Sequence, residues 1–105
     1  MTKVVVAPGA CGFTAAISAE MTQDESVVIS VHSGCPMVRR MAAEIARLGL
    51  QDALARILEN PVYLAAGKHL KHPACPVPAA VLKALEVEAG LNVKTDTTIV
   101  FEKDE

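Results

Sequence analysis

Three features of this 105-residue chain predict an α+β fold with a mostly antiparallel sheet and three to four helices on one face. Apolar residues alternate with period two through the first third. Helical spacing, opened by prolines and closed by glycines, fills the middle. A strand-like run returns near the end. The length suits a single domain over residues 1–105, large enough for one modest core.

Taken in order, Val4-Val5-Val6 reads as a short strand stopped by the Pro8-Gly9 turn signal. From Phe13 to Met21 the odd positions are Phe13, Ala15, Ile17, Ala19 and Met21, which predicts a strand, with helix as the alternative. Thr22–Glu25 is turn-like. Val27, Ile29 and Val31 then alternate with Val28, Ser30 and His32, giving a hairpin partner with His32 on its solvent phase. Pro36 to Leu48 carries Val38, Met41, Ile45 and Leu48 at helical spacing, with Gly49 as its stop. Leu50 to Leu58 repeats that spacing. Asn60-Pro61 opens a short helix ending near Gly67, and Lys68–Ala74 reads as a polar loop. Pro76 to Ala89 is a strong helix with Gly90 beyond it. Thr97–Glu102 is expected as a closing strand with Ile99 and Phe101 on one face.

The hydrophobic fraction is 51% but aromatics make up only 3%, so the core must come from Val, Ile, Leu, Ala and Met. Stacking platforms for single-stranded nucleic acid are missing. Ten basic against twelve acidic residues give a formal charge of −2 with no basic cluster, which disfavours nucleic-acid and anionic-membrane partners. The run Val4–Ala7 is too short for a signal peptide or a lipoprotein reading of Cys11, and no run approaches the roughly 20 apolar residues of a membrane helix. A cytoplasmic protein is expected, and three cysteines there do not make a disulfide framework.

Cysteine placement is the most telling feature. Cys35 and Cys75 each precede a proline that opens a helical pattern, and Cys11 follows the first strand in Pro8-Gly9-Ala10-Cys11-Gly12. Proline is favoured at the first helical position, which makes the preceding residue the N-cap. A thiol there faces free backbone N–H groups and the positive end of the helix dipole, an environment that favours thiolate. All three cysteines lie at ends of elements, and their convergence on one end of the sheet is the expectation. Three thiolates with one further ligand would complete a zinc site or hold an iron–sulfur cluster, and His72, His69 and His32 are the candidates for the fourth. There is no C-x-x-C pair, and cysteine is by default a buried residue. The Pro8–Gly12 segment lacks a phosphate-loop pattern, so a simple turn is expected.

The hairpin leading into Gly34-Cys35, followed by His72 and Cys75 ahead of an amphipathic helix (Pro78 to Glu86), resembles the U-type iron–sulfur cluster scaffold proteins. That resemblance implies cluster ligation at Cys35 and Cys75, with His72 standing for the histidine beside the last cysteine. The family's middle cysteine has no counterpart here. Cys11 instead resembles the early cysteine of TSCPD-type domains, which also carry a Gly-Cys after a hairpin and a Cys-Pro before a helix. The Cys11-Gly12-Phe13 and Cys75-Pro76-Val77-Pro78 signatures also suggest a small bacterial and archaeal family. The resemblance covers roughly Cys11 to Ala89 by element order and leaves Thr97–Glu102 unexplained.

The leading expectation is a metal or iron–sulfur binding protein with Cys11, Cys35, Cys75 and His72 as ligands, in a carrier, scaffold or accessory role that allows a protein partner. It is an enzyme less readily, since no nucleophile–base–orienter set exists without those cysteines. The rivals are a thiol-based sulfur-transfer or redox protein without metal, and an interaction module with structural cysteines.

Overall fold

The computed structural model describes residues 1–104. Four antiparallel strands run in sequence order across one sheet: β1 (Thr2–Val6), β2 (Ala15–Met21), β3 (Ser26–Ser33) and β4 (Arg47–Gly49). Three helices, α1 (Pro36–Glu44), α2 (Pro61–His69) and α3 (Val77–Glu88), complete the α+β architecture. No helix among the described residues is long and apolar enough to cross a membrane.

Period-two patterning sets which side of the sheet is covered. Val4, Ile17 and Val31 lie side by side in register, as do Met21, Val27 and Leu48, and all face the helices. Lys3, Val5, Ala16, Glu20 and His32 occupy the opposite, open face. A one-residue slip would exchange the two sets, so burial of one face fixes the register. The β2–β3 turn is held by Asp24, which accepts from the Ser26 hydroxyl at 2.7 Å and from the Thr22 hydroxyl. These bonds, Thr22 first, pull the Asp24 carboxyl down to about 2.

The core is aliphatic and fine-grained: Ile17, Val27, Met41, Ile45, Val62, Val81 and Leu85 interleave with Ala15, Ala19, Ala65, Ala80 and Ala84. α3 lies across β1 and β2, and α2 packs on α1 and α3. Gly90, at φ +74°, ends α3 in a Schellman motif: Leu91 N–H bonds Glu86 O at 2.9 Å and Gly90 N–H bonds Val87 O at 3.1 Å.

Four expectations are corrected. The helix from Pro36 stops at Glu44, and Leu48 belongs to β4. Ala46 O accepts Ile29 N–H at 2.8 Å, so the chain turns into the sheet, where Leu48 is buried as a strand residue. Leu50 to Leu58 is not a helix beyond the 3₁₀ turn Leu50–Ala53. Asn60 Nδ2 donates to Asp52 O (2.8 Å) and Ala55 O (3.2 Å), carbonyls a longer helix would have used, and Leu54, Ile57 and Leu58 stay exposed. His69, expected in a loop, is the last residue of α2. Thr97–Glu102 forms no strand and lies exposed, so the expected closing strand is replaced in the sheet by β4.

Asn60 ties this irregular region to α2. It is 2% exposed, and its Oδ1 caps the helix by accepting Val62 N–H at 3.0 Å while its amide holds the two carbonyls. Asn60→Ala removes the cap and leaves two carbonyls without their donor. We expect a loss of about 2–3 kcal/mol in urea unfolding; a loss below about 0.5 kcal/mol, the scale of an inert surface change, would mean water replaces all three bonds.

The C-terminal end of α3 is pinned by Glu88. Its carboxylate accepts the Thr2 hydroxyl at 2.8 Å and Met21 N–H at 2.9 Å, with the Met1 amino group 3.7 Å away. The Met21 amide first, then the Thr2 hydroxyl and the amino group, hold the Glu88 carboxyl below its usual 4.5 against the opposing effect of burial. A carboxyl depressed in the folded state contributes stability that is present above 4.5 and is lost as pH falls through its lower folded value. Wild type should therefore lose more stability than Glu88→Gln on acidification below 4.5, measured by urea midpoints across pH. Parallel acid profiles for the two would contradict this.

Candidate functional site

The polarity of α3 decides where the cysteines fall. Glu88 sits at the sheet end where β1 begins and β2 finishes. Twelve residues of helix span about 18 Å, close to the length of a seven-residue strand, so Val77 lies toward the opposite end. That opposite end is the row Val6, Ala15 and Ser33. Cys35 leaves it two residues after Ser33, the loop from Ala7 to Thr14 with Cys11 joins Val6 to Ala15, and Cys75 precedes α3 there. The topology thus sends the Cys11 loop and the Cys35 junction out of one end of the sheet, and the direction of α3 points its start, after Cys75, toward that end.

Each cysteine is held differently. Cys35 is the N-cap of α1, with Pro36 at the first helical position as expected. Its thiol makes no capping bond. Its own N–H bonds Ser33 Oγ at 3.1 Å, its carbonyl accepts Arg39 N–H at 3.0 Å, and its side chain belongs to the core. Cys75 is not the N-cap of α3; Pro76 is, with Pro78 inside the first turn. The first helical bond runs from Ala80 N–H to Pro76 O at 3.0 Å, so the helix starts past Cys75, and Pro78 is tolerated in its first turn because a proline there lacks no intrahelical bond. Cys75 instead closes a turn, donating its N–H to His72 O at 3.1 Å, and its side chain packs half-buried on the core. Cys11 is exposed, in a loop that turns through Gly9 (φ +96°) and Gly12 (φ +75°), with Gly12 N–H bonded to Gly9 O at 2.9 Å. Nothing in the loop contradicts the simple turn. The loop leans on the Cys35 junction: a Cβ added to Gly34 would meet Phe13 Cδ1 at 3.1 Å.

Among the candidate histidines, the structure separates three situations. His32 is exposed on the open face of the sheet beside Ala16, away from the helices. His69 is bonded to Glu44, which also pairs with Lys68 at 3.0 Å; His69 first, then Lys68, hold the Glu44 carboxyl below its ordinary range. His72 is exposed and shares its turn with Cys75, so a four-residue turn holds the two Cα atoms within about 7 Å. The sequence preferred His72 and set His32 on the solvent phase; the Glu44 partner of His69, 25 residues away, was not legible there.

All three cysteines are free. Among the described residues no three of His, Cys, Asp and Glu stand close enough together to hold a metal ion. The thiols form no closed ligand set among the described residues. Their access also differs: Cys11 is exposed, Cys75 half-buried and Cys35 buried. Alkylation of the native protein should follow that order, followed by mass spectrometry of peptides, because a buried thiol must wait for local opening. The N-cap argument alone favours the reverse, with Cys35 and Cys75 fastest. Cys35 labelling as fast as Cys11 would show that the α1 start opens freely.

No curated protein and no solved structure matches the chain. Residues 2–101 match a family described as a family of unknown function, DUF6951. That match spans every strand and helix and continues to Phe101, and the chain belongs to this family.

Proposed function

We propose that this protein binds a soft metal ion or an iron–sulfur cluster through Cys11, Cys35 and Cys75, with His72 as the fourth ligand. Its role is that of a cytoplasmic carrier, scaffold or accessory protein. One observation carries the reading: the Cys11 loop and the Cys35 junction leave the same end of the sheet, and the direction of α3 points the His72–Cys75 turn toward it. Three thiols and an imidazole are the donor chemistry of tetrahedral zinc and of iron–sulfur sites. The donors are not yet in ligand contact, so binding requires the exposed Cys11 loop to close over the Cys35 junction. The glycines at positive φ on either side of Cys11 give that loop backbone states closed to other residues.

The separation of the ligands favours a second reading, in which the thiols work without metal. Cys75, half-buried on the core and next to the exposed His72, is then the reacting thiol of a sulfur-transfer or redox protein.

Metal and acid-labile sulfide analysis of anaerobically purified protein separates the two. We expect wild type to retain metal, Cys35→Ser and Cys75→Ser to lose it, and His72→Ala to lose less. Serine oxygen is a poor substitute for thiolate toward zinc or iron. Serine is also a favoured N-cap, so a helical far-UV spectrum should persist in Cys35→Ser. Trace metal only in wild type, or full retention in Cys75→Ser, would sink the metal reading and leave the thiol reading in its place.

A further inference from the structure

The segment after α3 is built like a strand yet joins no sheet among the described residues. Thr97-Thr98-Ile99-Val100-Phe101 is a run of β-branched and aromatic residues, and Ile99 and Phe101 are 86% and 97% exposed. The sheet meanwhile leaves β1 as an open edge, since β1 pairs only with β2. Such an edge is a template for another strand. Along it Val4 and Val6 are only half-buried on the helix face, and Val5 is exposed on the open face beside Lys3.

We infer that residues 98–103 of one copy pair antiparallel with β1 of a second copy, giving a two-fold dimer joined by exchanged strands. One register satisfies every position. Glu102 opposite Lys3 sets Phe101 beside Val4, Val100 beside Val5 and Ile99 beside Val6. Ile99 and Phe101 then extend the core on the helix face. Glu102 meets Lys3 on the open face, and Lys103 falls beside Thr2, whose hydroxyl bonds the Glu88 carboxylate. Shifting by one residue turns Ile99 and Phe101 to the open face. Shifting by two in one direction puts Val100 opposite Lys3 and loses the charge match; in the other it puts Lys103 opposite Val4 on the apolar side. Parallel pairing with the same apolar matches sets Thr98 against Lys3 and gains no ion pair.

The geometry favours a second copy over the chain's own β1. Glu88 holds the end of α3 beside Thr2, so the segment leaves the body where β1 starts. An antiparallel partner must begin at the other end, beside Val6. To reach it in the same chain, residues 91–98 would have to run back along the strand, about 17 Å, which eight residues span without full extension. Instead Asn92 Nδ2 bonds Glu86 Oε2 at 2.9 Å, and Thr95 N–H turns back on Val93 O at 3.0 Å. A strand from a second copy needs neither contact broken.

Light scattering after size exclusion, over a dilution series of the full chain, tests this. Wild type should elute as a dimer that dissociates on dilution. Truncation after Lys94 should be monomeric throughout, as should full-length Ile99→Lys/Phe101→Lys, which covers the case of a truncated chain that fails to fold. Lys3→Glu should weaken the dimer about tenfold, because two like-charge pairs replace two opposite ones, and Lys3→Glu/Glu102→Lys should recover it. A wild type that is monomeric at every concentration overturns the proposal, whether its tail is free or folded on its own β1. So does a dimer that survives the truncation, or a charge-reversed pair that recovers nothing.

Discussion

The contact of the Glu88 carboxylate with Thr2 and Met21 gives the molecule its direction. Burial of Val77, Val81 and Leu85, at about 1.5–3 kcal/mol each, outweighs hydrogen bonds to one charged group, worth about 1.5–3 kcal/mol apiece. Packing therefore holds α3 on the sheet. An apolar stripe of this kind is nearly indifferent to which way its helix runs; a carboxylate that must find one hydroxyl and one amide is not. Once Glu88 is placed, the start of α3 points to the far end of the sheet, toward the end that the Cys35 junction and the Cys11 loop leave.

A core nearly free of aromatics allows this arrangement to be close. Ala15 and Ala19 on the sheet and Ala80 and Ala84 on α3 belong to one buried cluster, and α3 packs on the strand that carries the first two. Cys35 is small enough to serve as one more member of that cluster while standing at a helix start. The same residue is thus both packing atom and potential thiolate, and what separates the two roles is whether the α1 start opens to a ligand. Glu44, bonded by His69 and Lys68, ties the C-terminal ends of α1 and α2 together, a helical length away from Cys35.

Local chemistry was legible in the sequence wherever one local signal decided the structure. Period two gave β2 and β3, and Asn60-Pro61 and Cys35-Pro36 gave the starts of α2 and α1. Where two structures bury the same residue, the pattern could not choose: Leu48 is buried at helical spacing from Ile45 and equally as a partner of Val27 in β4. Leu54, Ile57 and Leu58 have helical spacing, yet Asn60 takes the carbonyls and no layer covers them. For the site, the element-end positions of the cysteines could be read directly. The direction of α3, which points Cys75 toward the others, could not, because it depends on bonds between residues 67 and 86 positions apart. The displacement of Cys75 from the cap was not legible either: the first helical bond is accepted by Pro76, one residue later than a Cys-Pro cap predicts.

The central claim, that the three thiols share one end of the sheet, can be tested without assuming any metal. A trivalent arsenical bonds two neighbouring thiols at once, releasing water from its oxide, and cannot bridge thiols held at opposite ends of a folded domain. Mass spectrometry of the native protein after such treatment should find Cys75 bridged to Cys35 or to Cys11 within one chain. Bridging that appears only after denaturation would contradict the shared end, and with it the site built there.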